Sequence, residues 1–289
     1  MYSYPFSYHR PGSIDEALTM LADFGDDGKM IAGGQSLLPA MKLRLAAPGH
    51  LVDITRIPEL GAVRETSGGV EIGALVTHRQ VASDAAISAH AGLLAEIANV
   101  VGDLQVRNLG TIGGTLAHAD PAADYPAGVL ALDAEIVARG PDGERTIPVS
   151  EFFLGLFTTA LEPNEIVTSV RVADLPARTG YRYEKLANPA SGYALVGVAA
   201  VVRLDDSGAI AEARIGITGA SDVAWRPQSV ESALVGATPD DATLRAAAAS
   251  AIDGREMLAD VHAPADYRAR VTRNLVRRAV LTAASRAQG

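Results

Sequence analysis

The stretch Ala32-Gly33-Gly34-Gln35-Ser36-Leu37 directly follows a predicted strand, and a second stretch, Thr111-Ile112-Gly113-Gly114-Thr115, directly follows a predicted helix. We call them the first and the second glycine stretch. Paired glycines let the backbone approach a ligand closely, because no Cβ blocks the way and positive φ angles are allowed. Consecutive N–H groups can then converge on an anion, and the hydroxyl groups in both stretches add further donors. Two such stretches in one predicted domain indicate a site for a ligand with two phosphates.

A tight turn is the other interpretation of each glycine pair, because glycine is a common residue of tight turns. Both interpretations stay open, since the familiar nucleotide fingerprints are missing from the sequence. Neither the G-x-G-x-x-G pattern of a dinucleotide-binding unit nor the G-x-x-x-x-G-K-[ST] pattern of a P-loop occurs.

Three polar residues, His118, Asp120 and Asp124, follow the second glycine stretch. They could ligate a metal ion, but Pro121 breaks the helical spacing and no second histidine-rich segment completes a coordination shell. Beside a phosphate site, the carboxylates of Asp120 and Asp124 are better suited to accept hydrogen bonds from ligand hydroxyls. Asp120 also suits the N-cap of a helix that has Pro121 at its first position, and the two roles are compatible. We therefore expect no metal site.

The composition excludes several classes of function. The formal net charge of -9 argues against a nucleic-acid partner. The absence of cysteine excludes disulfides, a thiol nucleophile and an iron–sulfur cluster held by thiolates of this chain. The longest apolar segment has about ten residues, which is about half a membrane span. With no signal-peptide pattern at the start, we expect a cytoplasmic protein that is not an integral membrane protein.

No catalytic constellation is recognisable from residue spacing. The H-E-x-x-H and G-x-S-x-G patterns are both missing, and no pair of nucleophile and base can be argued. Lys185 and Tyr193 lie near the start of the predicted second domain and could reach a ligand across a cleft. Their spacing alone is equally compatible with structural roles.

Irregularly mixed strand and helix patterns predict an α+β chain with a larger domain over residues 1–176 and a smaller one over 177–289. In the first domain the apolar period of residues 90–104 predicts one helix. The apolar run of residues 129–138 predicts a strand. The second domain is expected to contain the following elements: strands over 193–204 and 209–219 joined by a hairpin turn, and helices over 239–252 and 264–286.

At the two glycine stretches the sequence resembles the FAD-carrying subunits of molybdenum hydroxylases, and most of all the medium subunits of aerobic carbon monoxide dehydrogenases. The resemblance covers nearly the whole chain and includes Tyr8-His9-Arg10-Pro11, Leu51-Val52-Asp53-Ile54, Gln105-Val106-Arg107, Tyr183-Glu184-Lys185-Leu186 and Arg277-Arg278. It implies an FAD-binding domain of the vanillyl-alcohol-oxidase type, with subdomains of roughly 1–55 and 56–176. A smaller α/β C-terminal domain with an antiparallel sheet would follow. Gln35 and Thr115 depart from the residues that many members have, but both keep a polar group.

The resemblance also implies which residues bind the cofactor, and it implies no catalytic residue. Backbone N–H groups of both glycine stretches would hold the pyrophosphate, Asp124 would bond ribityl or ribose hydroxyls, and Tyr193 would cover a flavin face. The full set of expected cofactor-binding residues is Ala32, Gly33, Gly34, Gln35, Ser36, Leu37, Thr111, Ile112, Gly113, Gly114, Thr115, Asp120, Asp124, Lys185 and Tyr193.

The function implied by the resemblance is electron transfer within a larger enzyme. FAD in this chain would accept electrons from [2Fe-2S] clusters of a small subunit and pass them to an external acceptor such as a quinone. A large subunit would hold a molybdopterin cofactor, and two heterotrimers would form a heterohexamer that associates peripherally with a membrane. Carbon monoxide is the expected substrate, with aldehydes, nicotine-like heterocycles and purines as alternatives. A self-sufficient FAD oxidoreductase and a non-catalytic nucleotide-binding module are the other classes that stay open.

Overall fold

The structure, a computed structural model, describes residues 2–288, which begin with a small parallel sheet. Its strands are β1 (Ser7–His9), β2 (Gly28–Ile31) and β3 (His50–Asp53), in the order β1-β3-β2. Helix α1 (Ile14–Phe24) connects β1 to β2, and helix α2 (Leu37–Lys42) follows the first glycine stretch. The Ser13 hydroxyl accepts the N–H of Glu16 and so starts α1. The helix buries Ala17 and Leu18 against the sheet.

A five-stranded antiparallel sheet forms the second part of the N-terminal domain, in the order β4-β5-β10-β6-β7. These strands are β4 (Val63–Thr66), β5 (Gly69–Gly73), β6 (Glu135–Gly140), β7 (Gly143–Pro148) and β10 (Ile166–Ala173). A small hairpin of β8 (Phe153–Gly155) and β9 (Thr158–Thr159) lies between β7 and β10. Six helices separate β5 from β6: α3 (His78–Ser83), α4 (Ala85–His90), α5 (Gly92–Ala98), α6 (Leu104–Leu109), α7 (Ile112–His118) and α8 (Tyr125–Leu132).

Two predictions about this helical region are wrong. The single helix predicted for residues 90–104 is broken: α5 ends at Ala98, Gly102 has a φ of 48°, and α6 begins at Leu104. The strand predicted for residues 129–138 begins only at Glu135, because the residues up to Leu132 belong to α8. Every residue of α8 is buried. A helix that is apolar on all sides has no amphipathic period, so its pattern cannot be distinguished from that of a buried strand.

The C-terminal domain is an antiparallel sheet of three long strands covered by helices. The elements are β11 (Thr179–Ala187), β12 (Ala194–Leu204), β13 (Ile210–Thr218), α9 (Gln228–Leu234), α10 (Asp241–Ala248) and α11 (Ala265–Ala287), and the strand order is β11-β12-β13. The predicted hairpin is present, with Gly208 at a φ of 84° in its turn. The predicted α+β fold with an antiparallel C-terminal sheet is therefore confirmed.

The central strand β12 is buried on both faces, which explains its almost continuous apolar sequence. Ala199 and Val201 belong to the core of the N-terminal domain, where α8 packs against the sheet. Val198 and Ala200 point to the opposite face and pack in the core beneath α11. Because the side chains of a strand alternate between faces, one strand supplies both cores and joins the two domains. Within residues 2–288, no helix combines the length and the hydropathy that a membrane crossing would need.

Candidate cofactor site

A cavity of about 570 Å³ opens between the parallel sheet and the five-stranded sheet, and both glycine stretches line it. All six residues of the first stretch line this cavity. Four residues of the second stretch do so as well, namely Thr111, Gly113, Gly114 and Thr115. Ile112 is fully buried and packs in the core instead. The tertiary structure thus brings together two segments that are far apart in the sequence.

At Gly33 the first glycine stretch lies directly against the two residues that precede the second stretch. A Cβ at Gly33 would collide with the carbonyl oxygen of Leu109 and would lie 2.7 Å from the Cα of Gly110. Gly34 has a φ of 70°, in the left-handed region that favours glycine. The first glycine pair is therefore required by a close backbone approach and by a turn. Both features shape the wall of the cavity.

The backbone N–H groups of the first stretch are available to a ligand. Within residues 2–288, the N–H groups of Gly33, Gly34, Gln35 and Ser36 donate to no protein acceptor. The Gln35 side chain donates to the carbonyl of Gly33 at 3.1 Å, which supports the turn. Since buried backbone donors are nearly always paired, a row of four consecutive free N–H groups beside a cavity has the character of an anion site.

The second stretch has a different geometry, because four of its N–H groups, those of residues 112–115, already have acceptors. Thr111 is the N-cap of α7, and its hydroxyl accepts the N–H of Gly114 at 3.1 Å. The N–H groups of Ile112 and Gly113 donate to the carbonyls of Val76 and Ala74, at 3.1 and 2.9 Å. Thr115 donates to the Thr111 carbonyl at 3.0 Å. A pyrophosphate contact through these N–H groups stays a prediction, and it would require them to be shared with their present acceptors.

Asp120 does not cap a helix, so the N-cap interpretation was wrong. Its carboxylate accepts the N–H of Ala122 at 2.9 Å, and α8 begins only at Tyr125. The Thr218 hydroxyl lies within hydrogen-bond distance of the carbonyls of Pro121 and Ala123, at 2.8 and 2.7 Å, and can donate to either of them. His118 lines the cavity and packs against the ring of Phe157 at 5.1 Å. Among the described residues, no group of three or more potential ligands is arranged to hold a metal ion.

Asp124 and Lys185 form an ion pair between the two domains. The Lys185 amine donates to one carboxylate oxygen of Asp124 at 2.9 Å, and the hydroxyl of Tyr183 donates to the other at 2.6 Å. The exposed fractions of the Lys185 and Asp124 side chains are only 8% and 4%. Burial raises the pKa of the Asp124 carboxyl, while the Lys185 ammonium opposes this effect. Neither residue lines the cavity, and the contacts with FAD that we expect for them stay predictions.

Tyr193 connects this pair with the first glycine stretch. Its phenol lies beside the hydroxyl of Ser36, which lines the cavity. Burial and the carboxylates of Asp120 and Asp124 raise the pKa of the Tyr193 phenol. Tyr193 is still 40% exposed, although it does not line the cavity.

Three residues around the site were missed at the sequence level. Lys29, at the cavity wall, could have been found as a cation four residues before Gly33. Phe157 lines the cavity with a φ of 52°, which is unusual for a bulky side chain, and no sequence signal indicates it. Tyr183 belongs to a segment that resembles the family, but its own sequence neighbourhood indicates no role for it. Its bond to Asp124 spans 59 residues, so no local pattern could predict it.

Two family models together match most of the chain. The FAD binding domain in molybdopterin dehydrogenase matches residues 4–174, and the CO dehydrogenase flavoprotein C-terminal domain matches residues 181–283. The chain belongs to the FAD-binding subunits of molybdenum hydroxylases. The prediction from resemblance is confirmed at this level, and with it the oxidoreductase class and FAD as the cofactor of this family. The domain boundary at residue 176 stays a prediction.

Individual relatives of this FAD-binding subunit are similar over nearly their whole length. The carbon monoxide dehydrogenase medium chain of Hydrogenophaga pseudoflava is 41% identical over 281 residues, which cover 97% of this chain and 98% of the relative. The 6-hydroxypseudooxynicotine dehydrogenase complex subunit alpha of Paenarthrobacter nicotinovorans is 40% identical over 283 residues, with coverage of 98% and 96%. Very similar identities thus connect the chain to relatives named for different substrates.

Solved structures of this family superpose closely on the FAD-binding subunit. A chain of carbon monoxide dehydrogenase from Hydrogenophaga pseudoflava matches with a TM-score of 0.96 and 42% identity, covering 99% of both chains. A chain of quinoline 2-oxidoreductase from Pseudomonas putida 86 matches with a TM-score of 0.94 and 33% identity, covering 100% of both chains. The fold is therefore shared among members that are named for different substrates.

Proposed function

We propose that this chain is the electron-transfer subunit of an aerobic carbon monoxide dehydrogenase. Its FAD would receive electrons from [2Fe-2S] clusters of a small subunit and pass them to an external acceptor. The observation that carries the proposal is the row of four free N–H groups from Gly33 to Ser36 at the cavity wall. Carbon monoxide as the substrate rests on the 41% and 37% identity to the medium chains of two carbon monoxide dehydrogenases.

The residues around the cavity fit an FAD molecule. The free N–H groups of the first stretch would hold the pyrophosphate, and the amine of Lys29 would add a positive charge nearby. Thr111, Gly114 and Thr115 line the cavity and would border the same part of the cofactor. Tyr193, beside Ser36, would lie against the flavin ring, and Asp120, Asp124 and Lys185 complete the proposed set.

The flavin supplies the chemistry, because it can take up two electrons and release them singly or together. The chain's own residues would bind the cofactor and orient it. We assign no catalytic acid or base, since the described residues around the cavity include no paired nucleophile and base. His118 is the one imidazole at the cavity wall, and burial lowers its pKa, which favours the neutral ring.

The proposal includes two partner subunits. A large subunit would hold a molybdopterin cofactor, and a small subunit would hold the iron–sulfur clusters, which this chain cannot ligate without cysteine. We place the chain in a dimer of heterotrimers. A quinone acceptor would require an approach to a membrane, so a cytoplasmic complex with peripheral membrane association belongs to the same proposal.

A second substrate class is favoured by one specific observation. The 6-hydroxypseudooxynicotine dehydrogenase subunit is 40% identical over 98% of this chain, which nearly equals the identity to the carbon monoxide enzyme. The same electron-transfer role in a hydroxylase of nicotine-like heterocycles is therefore the alternative. The substrate pocket belongs to the large subunit, and the sequence of this chain does not distinguish the two.

The test begins with the visible spectrum of the purified chain and the release of its small molecule by denaturation. We expect the bands of oxidised flavin and one FAD per chain, either alone or after co-expression with the two partner subunits. A complex that releases no FAD on denaturation would contradict the proposal. Addition of carbon monoxide to the oxidised complex should then bleach the flavin bands. Bleaching by 6-hydroxypseudooxynicotine alone would favour the alternative substrate class.

A further inference from the structure

Four aromatic side chains alternate along residues 2–8, the segment that leads into β1. They are Tyr2, Tyr4, Phe6 and Tyr8, and their exposed fractions range from 39% for Phe6 to 88% for Tyr2. Pro5 favours an extended conformation for the residue before it. Because alternate residues of an extended segment point to the same side, Tyr4, Phe6 and Tyr8 form a row of aromatic rings.

The position of Tyr8 places this row on the face of the parallel sheet that is turned away from α1. Val52 of β3 packs with Leu18 of α1 in one core. Tyr8 pairs with Leu51, the neighbour of Val52, and successive strand residues alternate between the two faces. The Tyr8 hydroxyl donates to the carboxylate of Asp53, which shares the face of Leu51. The Tyr8 ring and α1 are therefore on opposite sides of the sheet.

The loop that follows α2 borders the aromatic row. The guanidinium of Arg44 lies over the Tyr4 ring, 4.8 Å from its centroid. Leu43 and Leu45, on either side of Arg44, are both exposed, Leu45 to 80%. Single exposed apolar side chains are ordinary, whereas a group of them from neighbouring segments marks an interaction site. We call Leu43, Leu45 and the four aromatic residues the aromatic surface.

The aromatic surface is bordered by cations. Among residues 37–58 the exposed charged side chains are Lys42, Arg44 and Arg56, and all of them are positive. The one carboxylate of this range, Asp53, is buried and bonded to the Tyr8 hydroxyl. The charge of Arg56 acts on the Tyr8 phenol, so this cation lies near the row. The surface is therefore locally positive, although the whole chain has a formal net charge of -9.

Acidic residues lie on the opposite side of the parallel sheet. Helix α1 carries Asp15, Glu16 and Asp23, and all three are exposed. An anionic partner would thus be attracted to the face with the aromatic rings and repelled by the face of α1. This asymmetry of charge selects an anionic partner and orients the chain on it.

A flat anionic partner fits the aromatic surface better than an added strand does. β1 is an edge strand of its sheet, but Pro5 has no N–H to donate and so blunts the open edge. None of the six residues of the aromatic surface lines the cofactor cavity. Aromatic side chains are enriched at membrane–water interfaces, and cations beside them attract anionic headgroups. The rings and the cations of this face are thus the two features of a lipid-binding surface.

We propose that the aromatic surface, together with Lys42, Arg44 and Arg56, docks the chain onto anionic lipid headgroups. The aromatic rings would lie among the headgroups, Leu45 would reach the acyl boundary, and the three cations would bind lipid phosphates. The inference deepens the peripheral membrane association of the proposed function and rests on it for its purpose, which is to bring a quinone acceptor within reach. Lipid binding itself requires no FAD.

The experiment is sedimentation with lipid vesicles, both for the full chain alone and for its assembly with the partner subunits. One set of vesicles contains phosphatidylglycerol and phosphatidylcholine in equal amounts, and the other contains phosphatidylcholine alone. We expect the wild type, in both forms, to sediment with the anionic vesicles and to stay in solution with phosphatidylcholine alone. Rising salt concentration should release it, because salt screens the attraction between exposed charges.

The cations are tested with a double variant, Lys42→Glu with Arg56→Glu. It should bind the anionic vesicles at least about thirtyfold more weakly than the wild type, because two cationic contacts with the lipid are lost. The matched control is Arg245→Glu with Arg270→Glu, which makes the same change of net charge at two exposed positions of the C-terminal domain. The control should bind the vesicles about as tightly as the wild type.

The apolar contact is tested with Leu45→Ser. Its binding to the anionic vesicles should be about fivefold to about tenfold weaker, because less apolar surface enters the lipid. Val261→Ser is the control, since Val261 is 95% exposed in the C-terminal domain. Thermal unfolding of every variant should match that of the wild type, because all the altered side chains are exposed.

Equal binding of the wild type to both kinds of vesicle, or binding to neither, would overturn the proposal. Undiminished binding of the double variant, or an equal loss of binding in its control, would do so as well. Binding by the chain alone that is lost in the assembly would show that a partner protein covers this surface, which also overturns the proposal. Failure here would leave the FAD assignment intact, whereas a complex without FAD would contradict the proposed function and leave lipid binding measurable.

Discussion

At the scale of single residues, the glycines of the site serve packing as much as ligand approach. Gly33 lies against the Leu109 carbonyl, and Gly113 lies with its Cα hydrogen toward Ala74. A side chain at either position would first meet protein backbone rather than the anion. The close approach that these glycines permit is thus to the protein itself, and the predicted approach to a ligand stays a prediction.

Replacement of Gly33 by valine should abolish FAD binding. The new Cβ would push the first stretch away from Leu109 and Gly110 and so misalign the free N–H groups. Overpacking of this kind costs about 1–3 kcal/mol of folding free energy, so the protein should still fold. The measurement is flavin content after purification, with Gly68→Val as the control because a Cβ at Gly68 meets no atom within 4 Å. Full flavin content in Gly33→Val would disprove the role of the first stretch.

His78 should make the stability of the protein depend on pH. It is buried and packs against Gly110, and its Nδ1 has no hydrogen-bond partner among residues 2–288. Burial lowers its pKa from 6.5 to about 4. Below pH 6.5, the unfolded-state pKa, the His78 imidazole is protonated in the unfolded chain but stays neutral in the folded chain. The contribution of His78 to the free energy of unfolding is therefore complete above pH 6.5. It falls, by about 3 kcal/mol in all, as the pH approaches the folded-state pKa of His78.

The check is the free energy of unfolding measured by denaturant across this pH range. The fall should be smaller in His78→Leu and unchanged in the control His262→Leu, whose side chain is exposed. An equal fall in the wild type and in His78→Leu would assign the acid sensitivity to other groups.

At the scale of elements, the second glycine stretch acts as the beginning of a helix. The Thr111 hydroxyl caps α7, and the first N–H groups of the helix are bonded to Val76, Ala74 and Thr111 itself. This arrangement attaches α7 to the end of β5 and fixes the wall opposite the first stretch. The second stretch therefore shapes the cavity mainly by its position.

Thr111→Val should destabilise the protein and weaken FAD binding together. Loss of an N-cap costs about 1–2 kcal/mol, and α7 would move at the cavity wall. The matched control is Asp240→Ala, which removes the cap of α10 in the C-terminal domain. Both variants should lose similar unfolding free energy, but only Thr111→Val should lose FAD affinity. A variant of Thr111 with lower stability and undiminished FAD affinity would show that α7 does not position the site.

At the scale of the whole molecule, the two domains share one interface through α8 and strands β12 and β13. Gly216 of β13 lies against the Ala127 carbonyl of α8, and the polar contacts of the segment Asp120–Asp124 surround this packing. Buried apolar packing gives most of the stability, while the buried polar groups set the register of the two domains. The segment that follows the cavity-lining helix α7 is therefore held by contacts with the C-terminal domain.

Gly216→Val should separate the unfolding of the two domains. Trp225, the single tryptophan, lies in the C-terminal core, so its fluorescence reports on that domain, whereas far-UV circular dichroism reports on the whole chain. In the wild type the two thermal transitions should coincide. In Gly216→Val they should diverge, because the new side chain meets the Ala127 carbonyl, whereas Gly155→Val, at an open position, should behave like the wild type. Coincident transitions in Gly216→Val would contradict a shared interface.

The sequence by itself determined the features that depend on neighbouring residues. Ser13 begins α1, the turn at Gly208 forms the C-terminal hairpin, and the two glycine stretches indicate the site, because capping, turn formation and backbone approach are local. The resemblance of these motifs then led to the family. The α+β class and the antiparallel C-terminal sheet followed from these patterns and this resemblance.

Only the tertiary structure decided which distant groups meet. The Lys185 contact with Asp124 spans 61 residues, and α8 is helical in a segment whose apolar run suited a strand equally well. The tertiary structure also determined which N–H groups are available. The carbonyls of Val76 and Ala74 accept N–H groups of the second stretch, whereas no acceptor among residues 2–288 is bonded to the N–H groups of Gly33 to Ser36. Residue types specify what a group can bind, but burial and long-range pairing determine what is left for a ligand.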